Sequence, residues 1–593
     1  MVEEYQPLIH SDPDHTPRWG MAIDVNRCVG CQTCTIACKH WNNTLPDIQW
    51  RRVIDIEQGE YPDVQRQFLV TGCQHCEEPP CVPVCPTGAT RQRDDGLVTM
   101  DYDICIGCGY CAVACPYQAR TIAHEIKGYY DGTVTQQEKA VFDEGRIGVA
   151  QKCTFCIDRV DSGLDSGLTP GVDPDATPAC SAACIASAIT FGDYNDPGSN
   201  VSQLVRDNPM FQMHEELGTD PQIKYLYTTP AVPGREPETA DVADDRLSDL
   251  ANPLVGRVQK FWDWRAAMNW MFGGIGSGFV FAAWFMSFWI PTEVAPIYGH
   301  WLSLAQFVGG GIMAIGLFFV FLKIGRKARF WRAVSRPHSS WMTRELYVVV
   351  VFGIAVLSGI VTQHAVAQTV AALTALSFLI CQAMILYRGR GIPAWRHKAM
   401  PWMIFMTGLL EGFAFLMPAF AISLALLSIA QTMAPFQVAI YGDLMLPMMQ
   451  VASLILVVLA AVNLLLWSSY VRTAAEKGVG PLARQVLVGV YRRLGVIGYG
   501  LPMALHVIGL IAINTGQNGL PVAAGVWLTG SFLAIIGGTY WKFMIVTRAS
   551  HQQGFEMPKQ PHRGSGKRAA PPRMDGTDMR PGAPLYRNPI GVG

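Results

Sequence analysis

At 593 residues the chain is too long for one hydrophobic core, so two or more domains are expected. A net charge of −1 gives no bulk electrostatic pull on nucleic acid, which is not an expected partner. Half of the residues are hydrophobic, but unevenly spread: up to about residue 260 the sequence is polar and rich in cysteine, and from Ala266 to Ile545 it is mostly long apolar runs.

The N-terminal stretch, residues 1–17, reads as an extension. It has no basic region followed by an apolar one and no twin arginine, so export by a signal of its own is not expected. A disulfide framework is therefore a poor reading of the cysteines. Sixteen of the 17 cysteines lie between Cys28 and Cys184, and Cys381 stands alone in an apolar run, where a thiol acts as a small buried hydrophobe.

The sixteen fall into four groups. These are Cys28, Cys31, Cys34 and Cys38; Cys73, Cys76, Cys81 and Cys85; Cys105, Cys108, Cys111 and Cys115; and Cys153, Cys156, Cys180 and Cys184. Groups two and three end in Cys-Pro. Three cysteines on a tight loop can reach three corners of an iron–sulfur cubane. The fourth, carried off by the start of a helix, reaches the neighbouring cluster, so two groups share two cubanes. Gly30, Gly107 and Gly109 let the loop backbone approach closely. Structural zinc also takes four thiolates, but from two separated CxxC pairs rather than three cysteines in seven residues. Sixteen ligands thus predict four [4Fe–4S] clusters. Short apolar stretches at Met21–Val25, Gln67–Val70 and Leu97–Met100, each leading into a cysteine loop, predict strands.

These four groups resemble the four-cluster ferredoxin subunits of molybdopterin oxidoreductases, among them dimethyl sulfoxide, polysulfide and nitrate reductases and formate dehydrogenase. The resemblance covers about residues 18–230. It implies that group one pairs with group four and group two with group three. One cluster then takes Cys28, Cys31, Cys34 and Cys184, and its neighbour Cys38, Cys153, Cys156 and Cys180. A third takes Cys73, Cys76, Cys81 and Cys115, and the last Cys85, Cys105, Cys108 and Cys111. It further implies that the first set faces the catalytic subunit and the last lies nearest the quinone. Some relatives replace the second cysteine of group three and hold a three-iron cluster; Cys108 is present here, so a full cubane is expected.

Residues 231–262 read as a solvated linker, acidic in places. Residues 263–548 read as a membrane domain, and 549–593, rich in Pro, Gly and Arg, as a flexible cytoplasmic tail. Eight apolar segments are long enough to span a bilayer: 266–290, 302–322, 346–363, 368–387, 402–427, 444–468, 495–514 and 522–545. Lys and Arg concentrate in alternate loops, Lys323–Glu345, Arg388–Met400 and Tyr470–Leu494, while the other loops contain none. The positive-inside rule then puts the basic loops, the N-terminal domain and the tail in the cytoplasm. The expected location is the inner cell membrane, with the iron–sulfur domain on the cytoplasmic side.

Residues 323–345 (KIGRKARFWRAVSRPHSSWMTRE), IPAW at 392–395 and GGTYWKFMIVTRASHQQGF at 537–555 resemble the eight-helix anchor of the dimethyl sulfoxide reductase type. The closest likeness is to the cytoplasm-facing anchors of sulfite dehydrogenase and phenylacetyl-CoA:acceptor oxidoreductase. In dimethyl sulfoxide reductase anchors the first motif begins with a quinol-linked histidine, where this chain has Lys323. Anchor and ferredoxin are usually separate chains, so this sequence reads as a fusion.

A quinone must come within electron-tunnelling reach of the last cluster. The candidates at the cytoplasmic ends of the spans are Asn269, Lys323, Arg329, Trp341 and Arg344. Asn269 also reads as a helix-bridging amide. Glu411 lies nine residues into the fifth span, roughly 13 Å deep at about 1.5 Å per residue. With His506 in the seventh span it reads as part of a proton path, or else as a protonated carboxyl bonded to a neighbouring helix. A haem would need two histidines, and His506 has only His300 and His364, both near the outer surface. Gly274 and Gly278 form a small-residue face of the kind that packs helices.

The sequence thus predicts an α+β ferredoxin-like domain with four [4Fe–4S] clusters, followed by an all-α eight-helix transmembrane bundle. It contains no segment long enough for a molybdopterin domain and no dinucleotide fingerprint, so it should not turn over a substrate alone. The resemblance implies a large partner subunit holding a molybdenum or tungsten bis-pterin cofactor, and ubiquinone or menaquinone in the lipid bilayer as the other redox partner. The expected role is electron transfer from a sulfite or acyl-CoA type donor to quinone in anaerobic respiration. The alternatives are the reverse direction, from quinol to a cytoplasmic acceptor, and the electron wire of a non-molybdenum respiratory complex.

Overall fold

The structure, a computed structural model, describes residues 6–58, 65–227, 248–290, 295–430, 435–514 and 519–555. The chain divides into two compact units. One runs to Arg257 and takes the chain back from Gln552; the other is Val258–His551.

The first unit is α+β. Its four-stranded sheet has the order β2-β1-β4-β3, with β1 (Trp19–Asp24) antiparallel to β2 (Ile189–Asp193) and parallel to β4 (Ile223–Leu226). The short β3 (Met210–Phe211) edges β4. β1 and β2 are buried along their whole length, as strands covered on both faces must be. The sheet residues Met21, Ile23, Phe191, Ile223 and Tyr225 form one cluster with Phe155 and with thiols from all four cysteine groups. The three predicted strands occur as Trp19–Asp24, Gln65–Thr71 and Val98–Met100, the second inside a hairpin with Arg52–Gln58.

Two expected boundaries move. Residues 228–247 of the predicted linker lie outside the described residues, but its remainder is packed: Leu254 and Trp262 are buried. The expected tail is ordered at its start. Phe555 N–H bonds to the Leu254 carbonyl at 2.8 Å and Gln552 N–H to that of Arg257 at 2.9 Å. Gln118 and His214 reach the carbonyls of Gln553 and Gly554, and the Phe555 ring joins the thiol-rich core. The polar composition around His551–Gly554 hid a backbone that pairs without needing apolar side chains. The rest of the expected tail, 556–593, lies outside the described residues.

Among the described residues the second unit holds eight helices long and apolar enough to cross a membrane: α1 (Trp264–Trp289), α2 (Tyr298–Lys323), α3 (Trp341–Thr362), α4 (Ala365–Tyr387), α5 (Met400–Ser423), α6 (Leu446–Thr473), α7 (Pro481–Ala512) and α8 (Gly519–Thr547). α1 and α5 are the most enclosed and touch each other, and both also pack on α4 and α8. Their contact explains the glycine face. A Cβ on Gly278 would meet the Gly408 carbonyl oxygen at 2.0 Å, and one on Gly412 would meet Gly278 backbone at 1.9 Å. Two small-xxx-small faces, Gly274/Gly278 and Gly408/Gly412, let the backbones touch.

Two helices start earlier than their hydropathy suggested. α3 begins at Trp341, so Trp341 and Arg344 stand on its first turn rather than before it. α7 begins at Pro481, and its amphipathic first half runs through a π-helical stretch, Leu494–Gly500, into the apolar half. Pro502 supplies no N–H and crowds the preceding turn, which widens to accommodate it.

Candidate metal centres and membrane site

The cysteine loops are built on left-handed residues. Gly30, Gly107 and Gly109 have φ of 69°, 70° and 77°, and Phe155 and Cys156 adopt 56° and 51°. Such turns aim successive backbone N–H groups inward, as a nest does. Gly107 N–H points to Cys105 Sγ at 3.4 Å, Phe155 N–H to Cys153 Sγ at 3.4 Å, Thr90 N–H to Cys85 Sγ at 3.5 Å, and Ala188 N–H to Cys184 Sγ at 3.3 Å.

The fold regroups the thiols across the sequence. Cys28, Cys31, Cys34 and Cys184 line one cleft of about 320 Å³. The thiols that act most strongly on Cys38 are Cys153, Cys180 and Cys156. Those that act most strongly on Cys76 are Cys73, Cys81 and Cys115. Cys85, Cys105, Cys108 and Cys111 line a second cleft of about 300 Å³. These sets, one to four below, mix early and late groups. Among the described residues no three His, Cys, Asp or Glu side chains converge as ligands of one ion would. All seventeen cysteines are free of disulfides.

Burial opposes ionisation of these thiols, pushing Cys34 and Cys156 up to about 12 and Cys153 up to about 11. They become thiolates only if a metal takes the charge. The surrounding charges fit an anionic group. Arg51, Arg120 and Lys152 are all buried, and no carboxylate pairs with any of them among the described residues. Burial works against the Arg51 charge, but Cys180, Cys153, Cys34 and Cys38, once ionised, more than reverse this and hold it above its ordinary value. A buried unpaired cation is costly, so thiolate-bound clusters are the natural counter-charge. When bound they would supply one-electron transfer. None of these three cations was singled out by the sequence, because one Arg or Lys in a polar domain carries no local pattern.

The sets differ in exposure. Cys31 is exposed and Cys184 partly so, beside exposed Val29, Ile36 and Ile185. Thr33 hydrogen bonding holds the Cys31 thiol below its ordinary value.

In the bundle, Asn269 is buried, as its helix-bridging reading requires. Its Nδ2 donates to Glu345 Oε1 on α3 at 3.3 Å. Gln382 Nε2 on α4 donates to the Asn269 carbonyl at 2.6 Å. Asn269 Oδ1 and Gln382 Oε1 are buried without a partner among the described residues. Glu345, also buried, was missed because it ends a basic loop motif and looked like a flank. Trp341 lies under the Arg344 guanidinium at 4.4 Å, and Arg344 also donates to the Pro337 and His338 carbonyls. Lys323 ends α2 and Arg329 follows in a 3₁₀ turn, Lys327–Val334.

Glu411 accepts from Lys542 Nζ on α8 at 2.5 Å, with both side chains almost fully buried. Gly274 and Gly538 make room for the pair: a Cβ on Gly274 would meet Lys542 Nζ at 2.1 Å, and one on Gly538 would meet Glu411 Oε1 at 2.3 Å. Next to it, Trp541 Nε1 donates to Thr407 Oγ1 and Thr407 to Asn463. His506 belongs to a different group, with Ser453 at 3.0 Å and Ser531 at 3.4 Å. No hydrogen bond joins it to Glu411 among the described residues.

A family model described as a 4Fe-4S dicluster domain matches residues 64–130. A Halobacterium salinarum protein, named as a candidate iron–sulfur subunit of dimethyl sulfoxide reductase, is 37% identical over 41% of this chain and 94% of its own length. A selenate reductase subunit of Mesobacillus selenatarsenatis is 39% identical over 35% of this chain and 72% of its own length. A sulfite dehydrogenase subunit of Allochromatium vinosum is 40% identical over 35% of this chain and 81% of its own length. With cysteine loops, thiol sets and relatives all of one kind, the chain belongs to the iron–sulfur subunits of the dimethyl sulfoxide reductase type of molybdopterin oxidoreductase, and it carries a helical membrane bundle in the same polypeptide.

Proposed function

We propose that this chain is both the electron wire and the membrane anchor of a cytoplasm-facing molybdopterin oxidoreductase. It carries electrons from a large catalytic subunit through four [4Fe–4S] clusters to ubiquinone or menaquinone. The observation that carries the reading is that cysteines from separate sequence groups line shared clefts, in a chain with eight membrane-length helices among its described residues. The ligands of the four clusters are the four sets in the order given above. Set one is the entry face, because its exposed thiol is ringed by exposed apolar side chains of the kind a partner covers. Orientation rests on the basic loops after α2, α4 and α6.

The quinone site is at the cytoplasmic end of α1, where the free carbonyl oxygen of Asn269, beside the buried carboxyl of Glu345, can accept from a hydroxyl of the quinol form. Lys323, Arg329 and Trp341 frame the approach. Glu411, with Lys542, and His506 contribute to proton movement deeper in the bundle. The donor is a sulfite or acyl-CoA type compound. The relatives include proteins named for a selenate reductase and a sulfite dehydrogenase, so the reverse direction is the second reading.

The test is affinity purification from native membranes in mild detergent, with assay of molybdenum, tungsten, iron and labile sulfide. A large molybdenum or tungsten protein co-purifying with near sixteen irons per chain supports the proposal. A partner without either metal refutes the molybdopterin assignment, and iron far below sixteen refutes four clusters.

A further inference from the structure

The three buried cations are not scattered among the thiols. Arg51 Nη2 points to Cys180 Sγ of set two at 3.6 Å, and the charges acting on it include Cys34 of set one and Cys38 and Cys153 of set two. Arg120 Nη2 points to Cys81 Sγ of set three at 3.1 Å, with Cys111 of set four among its neighbouring charges. Lys152 Nζ donates to the Val98 and Cys153 carbonyls and has Cys153 of set two and Cys73 and Cys81 of set three around it. The thiols that bear on each cation thus come from two consecutive sets of the four.

We propose that Arg51 and Arg120 set the reduction potentials of the electron wire, each placing a permanent positive charge between two consecutive clusters. The inference rests on the four-cluster reading above. A thiolate-ligated cubane is anionic and becomes more so on reduction, so an electron on one cluster repels an electron on the next. In a low-dielectric interior this repulsion is long-ranged and poorly screened. A fixed cation in the gap offsets it for both neighbours, and net charge and hydrogen bonds to sulfur are the terms a protein uses to move cluster potentials. Arginine suits the place because its guanidinium stays protonated when buried. The other contacts of these side chains are neutral. Arg51 Nη2 meets Met21 Sδ at 3.1 Å, and Arg120 Nη1 meets Thr90 Oγ1 at 3.1 Å and Met100 Sδ at 3.0 Å. Arg51 Nε and Nη1 have no hydrogen-bond acceptor among the described residues. Among the described residues no carboxylate is placed to balance these charges, and so they act on the clusters.

The experiment uses the full chain with its native partner in detergent. Arg51→Met and Arg120→Met remove the charge; Arg51→Lys and Arg120→Lys keep it. Iron and labile sulfide per chain are measured first, and wild-type values well below four clusters sink the functional reading rather than the charge rule. Variants of equal iron content are then titrated by redox potentiometry with electron paramagnetic resonance, the signals being assigned with Cys31→Ser and Cys108→Ser. Arg120→Met is expected to make the clusters of sets three and four at least tenfold harder to reduce, about 59 mV for a one-electron couple. Sets one and two should move much less, and Arg120→Lys should restore most of the shift. Arg51→Met is expected to act on sets one and two. Unchanged potentials, or equal shifts of all four clusters, overturn the proposal. If Arg120→Met loses iron, Arg120→Gln decides: it keeps an N–H donor to sulfur without charge, so lowered potentials support the proposal and wild-type potentials overturn it.

Discussion

Removing the charge of Lys542 should damage the bundle more than removing the whole pair. Lys542 and Glu411 are almost fully buried, 2.5 Å apart, and Gly274 and Gly538 leave no gap through which water replaces a lost partner. Lys542→Met strands a carboxylate in an apolar interior, which costs about 3–5 kcal/mol for a broken buried pair. The double variant Glu411→Gln with Lys542→Met leaves only neutral groups of similar volume, and such replacement is often neutral to within a few kcal/mol. At roughly 2 °C per kcal/mol for long chains, the single variant should melt about 6–10 °C below wild type, with the double variant recovering most of the loss. The assay is thermal unfolding in detergent followed by tryptophan fluorescence, with Trp541 and Trp467 packed near the pair reporting locally. If the double variant melts lower than Lys542→Met, or the two single effects simply add, the side chains are not electrostatically coupled and the reasoning fails.

Three further outcomes follow from the geometry. Gly412→Ala drives a Cβ into Gly278 backbone, so it should lower the melting temperature by the overpacking cost of about 1–3 kcal/mol; Gly311→Ala meets nothing within 4 Å and should be neutral or stabilising, and equal effects would discredit the close-contact account. Asn269→Ala should raise the KM for a water-soluble quinol roughly 2- to 12-fold, the worth of one neutral hydrogen bond of about 0.5–1.5 kcal/mol, without loss of iron; an unchanged KM argues against the site. His75 accepts from Val98 N–H at Nδ1 and faces the Cys153 carbonyl with Nε2, so it is neutral, and burial together with the Lys152 charge holds it well below its ordinary value. Its depressed folded value means the folded chain binds fewer protons than the unfolded one. Stability is then full above about pH 6.5 and falls as the pH drops toward the folded value. Melting between pH 7.5 and 5.5 should show this loss, and His75→Gln should flatten it; identical slopes in both proteins would remove His75 from the cause.

What the sequence revealed was local. Cys105-x2-Cys108-x2-Cys111 is a turn plus a helix start, legible in seven residues, and the apolar spans announce themselves by length. The parts it hid join residues far apart. Glu411 was visible as a costly carboxyl, but Lys542 lies on another helix 131 residues away, near the end of an apolar run whose character does not reveal its partner. Glu345 is 76 residues from Asn269 and borders a basic loop, so it looked like a solvated flank. The early start of α7 was legible in part, since Gly480-Pro481 is a good helix entry, but the arginines that follow masked it as a loop. Phe555 sat in polar sequence, where one aromatic residue gives no period to read.

The two units meet the same physical problem and answer it differently. Each buries cations where bare charge is costly. In the bundle, Lys542 is answered by a carboxylate of the same chain, so the charge is balanced within the unit. In the cysteine-rich unit, Arg51 and Arg120 have no carboxylate partner among the described residues; thiols and neutral groups such as Met21 and Thr90 face them, and burial keeps those thiols from ionising unless metal is bound. The protein without clusters must therefore either hold uncompensated cations in its core or loosen there. On this reasoning, cluster insertion is part of folding for the first unit and not for the second. Removing iron with a chelator under reducing conditions should expose the hairpin and cysteine loops to protease while leaving α1–α8 resistant. If the cysteine-rich unit stayed equally resistant without iron, its core would be tolerating unpaired arginines, and the view that clusters supply the counter-charge would be wrong.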